Sequence, residues 1–143
     1  MSLAELWFIL IAVLWTLYLS LEGFDFGVGM LVPVLARDEP DRDAMFESIG
    51  PVWDGNEVWL VIAAGATFAA FPLWYATFFS GFYSAFLLVL LLLIVRAISF
   101  EWRGKVERAG WRGFWTWINF AGALGVPLLW GLLLATLLHG VPI

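Results

Sequence analysis

Four acids and one guanidinium stand out in a sequence that is otherwise poor in charge. Glu22 and Asp25 are spaced i,i+3, as are Asp54 and Glu57, so each pair shares one face of a helix that carries it. Arg96 closes a long uncharged run, and Glu101 and Arg103 follow it. Carboxylates set near a cation at a membrane boundary can pair with it, cap a helix, or take up and pass on protons. Asp54-Gly-Asn-Glu57 reads as an N-cap with an acid at N3, the Asp version of a capping box. Capping is expected as part of Asp54's role, and proton passage in addition to it stays open. Asp25 is expected at the C-terminal end of a helix, where the dipole disfavours an anion, so it calls for Arg96 or a proton beside it. Glu22 reads as interfacial. Trp53 is an anchor, or a low-dielectric wall beside Asp54. For Arg96, structural pairing and functional charge balance are not separable at this level.

Other chemistries lack their residues. His139 is the one histidine and lies near the C-terminus; the three methionines are scattered, and Cys is absent. That is a poor kit for haem, copper or iron–sulfur ligation, so no metal site is expected. There is no phosphate-binding loop, dinucleotide fingerprint or nucleophile elbow, and no Ser has a His partner at a plausible depth. The chain alone is expected to do no redox chemistry.

The elements that position these residues must cross a membrane. Hydrophobic residues make up 63% of the 143 and charged residues 13%, against roughly half and a quarter in soluble domains. A soluble globule of this size could not hide so much apolar surface. The net charge of -5, with no extended basic patch, argues against nucleic acid. Leu6 to Leu21 is shorter than the ~20 residues a crossing needs, so the first helix starts earlier or runs into Glu22–Asp25. Val58 to Val95 carries no charge, and Pro72 divides it, with a tight turn predicted near Phe71 to Trp74. Val58 to Phe71 is too short to span alone, which draws Asp54, Asn56 and Glu57 to the boundary.

The reading is an all-α polytopic membrane four-helix bundle, with spans at about 4–26, 54–71, 73–96 and 114–138. Arg37 and Arg42 sit in the first loop; Arg96, Arg103, Lys105, Arg108 and Arg112 sit around the third. The positive-inside rule puts both loops in the cytoplasm and both termini outside. Trp7, Trp74, Trp102, Trp111 and Trp115 fall near span ends, as interfacial anchors do. Gly23 and Gly27 form a GxxxG on the first span, and Ala121 and Gly125 repeat the spacing on the fourth; close helix packing is expected at both.

Four motifs in order give the sequence a family resemblance. Gly23-Phe-Asp-Phe-Gly-Val-Gly29, Gly50-Pro-Val-Trp-Asp-Gly-Asn-Glu-Val-Trp-Leu60, Phe71-Pro-Leu-Trp-Tyr-Ala76 and Arg96-Ala-Ile-Ser-Phe-Glu-Trp-Arg103 resemble subunit II of the bacterial cytochrome bd quinol oxidase, from about Leu6 to Pro142. The resemblance implies a multi-pass subunit of the bacterial cytoplasmic (inner) membrane. Its complex oxidises quinol, reduces dioxygen to water, and takes protons from the inside. It implies haem b and haem d in the partner, subunit I, none on this chain's own ligands, and room for a structural quinone. It implies as partners subunit I, small accessory subunits, a chain carrying the second half, and the lipid bilayer. Family members are longer, with a second helical half, so a fragment or a split gene is expected. By motif match, Asp25, Trp53, Asp54, Arg96, Glu101 and Arg103 fall at the family's polar positions. The proton pathway is expected at Asp54, Asp25, Arg96 and Glu101, with Trp53, Gly23, Gly27 and Arg103 in structural or packing roles. Two rival readings are half of an ion-coupled transporter and a purely structural scaffold in which every polar residue caps or pairs.

Overall fold

Ser2 opens the first helix with a reciprocal cap: its hydroxyl accepts from the Glu5 N–H at 3.2 Å, and the Glu5 carboxylate accepts from the Ser2 N–H at 2.8 Å. The computed structural model describes residues 1–140; the closing Val141 and Pro142 of the resemblance lie outside them. From that cap α1 runs over Leu3–Leu35, then α2 over Glu39–Ile49, α3 over Trp53–Ala70, α4 over Pro72–Gly81, α5 over Tyr83–Arg103 and α6 over Ala109–His139. Every described element is helical. Three helices, α1, α5 and α6, are long and apolar enough to cross a membrane. Their outward faces carry bare apolar side chains such as Phe8, Val13, Leu90, Leu128 and Leu132, which lipid tolerates and water does not.

Contacts across the helices fix the topology. Trp15 reaches Thr67 and Asp25 reaches Asn56, so α1 and α3 are antiparallel. Tyr18 meets Trp130, and Gly29 meets Asn119 and Ala123, so α1 and α6 are antiparallel. Asn119 meets Ser99, and Gly122 meets Arg96, so α5 and α6 are antiparallel too. The main pairings are α5 with α6, α1 with α3, and α1 with α6; α4 joins the far ends of α3 and α5. The core between them holds Tyr18, Phe26, Val89, Leu93, Ala123, Val126, Trp130 and Leu133.

Four expectations change. First, α1 runs ten residues beyond Asp25, so Glu22 and Asp25 sit inside the helix and not in its last turn. Asp25 therefore does not oppose a helix C-terminus. Second, the first loop is not loop alone. Asp38 caps α2, accepting from the Asp41 N–H at 2.9 Å, and Pro40 fits the first turn. Third, the run expected as one span over 73–96 is two helices. Pro72 drives Phe71 out of helical geometry (φ -133°, ψ 62°), and Phe82 (φ -109°, ψ 27°) breaks the chain again after Ser80-Gly81. α5 alone, 21 residues or about 31 Å, has the length of a crossing.

Fourth, the close packing is displaced from the GxxxG. A Cβ at Gly23 or Gly27 would meet nothing within 4 Å, whereas one at Gly29 would lie 2.7 Å from Ala123 Cβ and from Asn119 Oδ1. On α6 the close approach falls at Gly122, against Arg96 Cβ and the Leu92 carbonyl, and at Gly125, against the Leu92 side chain.

A candidate polar cluster between three helices

Glu22, on the inward face of α1, meets Arg96 of α5. Nη1 of Arg96 donates to Oε1 of Glu22 at 2.6 Å, and both side chains are fully buried. One turn along α1, Asp25 is also buried, and its Oδ2 accepts from Nδ2 of Asn56 on α3 at 2.8 Å. Glu57, half-buried beside Asn56, lies within the electrostatic reach of Arg96, Asp25 and Asp54. Acids from two helices and a guanidinium from a third therefore converge. The i,i+3 spacing keeps Glu22 and Asp25 on one face of α1, and the packing of the neighbours gives Glu22 to α5 and Asp25 to α3.

The cluster is sparsely bonded for its depth. Oε2 of Glu22 and Nε and Nη2 of Arg96 are buried without a hydrogen-bond partner. Arg96 compensates in part over two aromatic faces, with Cζ 4.7 Å from the Phe26 centroid and 5.2 Å from that of Phe100. On the side towards the α1 N-terminus, Tyr18, Trp15 and Trp130 close the space. Their rings pack edge to face at 5.1–6.0 Å, and Nε1 of Trp130 donates to the Tyr18 hydroxyl at 3.1 Å. On the other side the cluster approaches the start of α3, where Asp54 is exposed.

The remaining residues singled out in the sequence fall as follows. Asp54 is inside the first turn of α3, not its N-cap: the N-cap is Val52, and no side chain bonds there. Acids in a first turn still suit the helix dipole. Trp53 stacks on Phe100 at 4.8 Å and 15°. Glu101 is exposed in the last turn of α5, outside the cluster. Arg103 is buried and donates to Thr116 at 3.0 Å, to Glu39 at 2.6 Å, and to Asp43. Glu22, read from the sequence as interfacial, is the residue that reading misplaced. Its i,i+3 relation to Asp25 was the available signal.

Among the described residues, no group of three or more His, Cys, Asp or Glu is placed to hold a metal ion. Haem ligation does not fit this chain's residues: its one histidine, His139, is exposed at the end of α6. Beyond the aromatic seal lies a wholly apolar cavity of about 510 Å³, lined by Phe8, Trp15, Trp74, Phe78, Phe86 and Trp130 among others.

All-helical architecture, three apolar helices of crossing length and a buried ionic cluster define a membrane protein. The chain belongs to the cytochrome bd terminal oxidase subunit II family, whose model matches residues 3–143. It is 52% identical over 99% of its length to the cytochrome bd ubiquinol oxidase subunit 2 of Bacillus subtilis (strain 168), covering 42% of that protein. It is 47% identical over 96% of its length to the cytochrome bd-I ubiquinol oxidase subunit 2 of Escherichia coli (strain K12), covering 36% of that protein. The chain thus spans about two fifths of the length of these curated relatives.

Proposed function

We propose that this chain is the N-terminal part of the non-haem-ligating subunit of a bacterial bd-type quinol:oxygen oxidoreductase. In this reading it crosses the cytoplasmic membrane four times, on α1, α3, the α4–α5 pair and α6, with both termini outside. Arg37, Arg42, Arg103, Lys105, Arg108 and Arg112 all lie at one end of the helices, which supports a cytoplasmic placement of that end. The subunit supports the haem-bearing subunit I. Its apolar cavity fits the isoprenoid chain of a structural quinone, held by Trp15, Trp74, Trp130 and the phenylalanines; apolar packing is all those side chains supply.

The second part of the proposal concerns protons. Asp54 takes them from the cytoplasmic boundary, and Asp25, bonded to Asn56, receives them next. Arg96 holds the cluster near charge balance by pairing with Glu22. Glu101 serves as a surface collector near the same end. The observation that carries this reading is the Asp25–Asn56 contact. It places a buried carboxylate of α1 against the helix turn that bears exposed Asp54, in a chain of this family. The aromatic seal supports a lateral exit towards subunit I over one along the helices.

Asp54→Asn in the assembled oxidase tests it. Oxidase turnover should fall while assembly and haem content stay at the wild-type level. Wild-type turnover in that variant would leave Asp54 with no part in proton uptake. Substitutions across the cluster that lower assembly but never turnover would favour the scaffold reading.

A further inference from the structure

α2, the helix between α1 and α3, is tied down by charge. Asp43 and Glu39 sit one turn apart on α2 and face the junction of α5 and α6. Arg103, at the end of α5, donates to both and to Thr116 of α6. Arg112, in the first turns of α6, donates from Nη2 to both oxygens of Asp43 at 2.8 Å, and its Nε lies 3.6 Å from Glu39. Apolar attachment is slight by comparison, since Ile49 is the one fully buried residue of α2. The network continues into aromatic side chains. Cζ of Arg103 lies 5.0 Å from the Phe46 ring, Phe46 meets Phe100 edge-on at 5.8 Å, and Phe100 is stacked by Trp53. Trp53 is the first residue of α3, next to Asp54 and one turn from Asn56 and Glu57. Only Gly50, Pro51 and Val52 separate the two helices, so α2 cannot shift without moving the start of α3.

We propose that α2 is an ionic strap: Glu39 and Asp43 clip it across the α5–α6 turn through Arg103 and Arg112, and the clip holds Trp53 on Phe100 so that the acids opening α3 stay against the buried cluster. Asp43, Glu39 and Arg112 are positioning residues in this scheme. None of them belongs to the proton route. The strap's effect on turnover rests on the proton-uptake reading above, but its existence does not.

Amide hydrogen exchange on the full-length subunit in its assembled complex tests the strap directly. Raising salt from about 50 to about 500 mM weakens the half-exposed pairs. It should speed exchange over residues 39–57 about tenfold while 109–139 keeps its protection. Asp43→Arg should do the same at low salt, and the swap Asp43→Arg with Arg112→Asp should restore protection. The salt arm needs no variant, so a misassembled mutant leaves the test standing. Exchange over 39–57 that ignores both salt and charge reversal overturns the strap, as does a swap that restores nothing. Faster exchange in α2 without the start of α3 overturns the coupling through Phe46, Phe100 and Trp53. Turnover is read in parallel. An opened strap that slows turnover and steepens its loss with rising pH supports positioning of the proton-uptake acids. An opened strap with wild-type turnover refutes that consequence alone.

Discussion

Arg96 and Glu22 face one another across the bundle, 74 residues apart in the chain and 2.6 Å apart in space, with no solvent exposure on either side chain. The cost of such a pair is hidden until one partner is removed. Glu22→Leu or Arg96→Leu alone strands a buried charge and should destabilise the subunit by about 3–5 kcal/mol. The double replacement removes both charges and should recover most of that loss. Thermal unfolding midpoints of the purified complex for the two single variants and the double variant check this; a double variant worse than either single one would contradict it.

Asp25 is a second kind of buried acid, neutral in its contacts and tied to an amide. Asp25→Asn keeps shape and volume, so assembly should hold. If Asp25 passes protons, turnover should drop on the order of tenfold, less than the ~10²-fold or more of a proton transfer made directly to a reacting group. Paired measurements of oxygen consumption and haem content on the same membranes distinguish slow turnover from poor assembly.

Gly122 packs tightly where α6 meets α5. A methyl group there would lie 2.9 Å from Arg96 Cβ and 3.0 Å from the Leu92 carbonyl oxygen, a backbone atom that cannot rotate away. Gly122→Ala should therefore cost about 1–3 kcal/mol. Gly131, on the same helix, has open space at that position, and Gly131→Ala should be close to neutral. The steady-state level of each variant in membranes reports the difference.

Asp43 gives a pH dependence of definite sign. Partial burial alone would push its carboxyl up, but hydrogen bonds and charge from Arg103 and Arg112 outweigh that and hold it below the ordinary carboxylate range. Glu39 and Arg42 are its charged neighbours on α2. A carboxyl depressed in the folded state stabilises above its unfolded value and loses that contribution as pH falls through the folded one. Protection of α2 should stay flat from pH 8 to about 5 and fall only below about 4. Loss of protection already at pH 6 would mean that other groups hold the helix.

Much of this protein was legible in the amino-acid sequence. Uncharged runs require membrane-crossing helices because unpaired backbone groups cannot face lipid. Basic residues clustered in two stretches lead to the expectation that both lie at one end, where Arg103 and Arg112 meet Asp43 of α2. The ordered motifs from Gly23 to Arg103 carry the family. Partner choice was not legible. Spacing places Glu22 and Asp25 on one face of α1, yet it cannot say which of them turns to Arg96, because helix rotation is set by every neighbour at once. Nor could a charge-free window show that α1 continues to Leu35 or that α5 continues to Arg103, since helices end where capping and packing stop them and not where hydrophobicity does. Asp38 and Pro40 carried a start signal for α2 that the expectation of a plain loop passed over, and what fastens α2 across the α5–α6 turn required the fold. The same holds for the glycines: Gly23 and Gly29 look alike in sequence, and only the approach of α6 makes one of them indispensable.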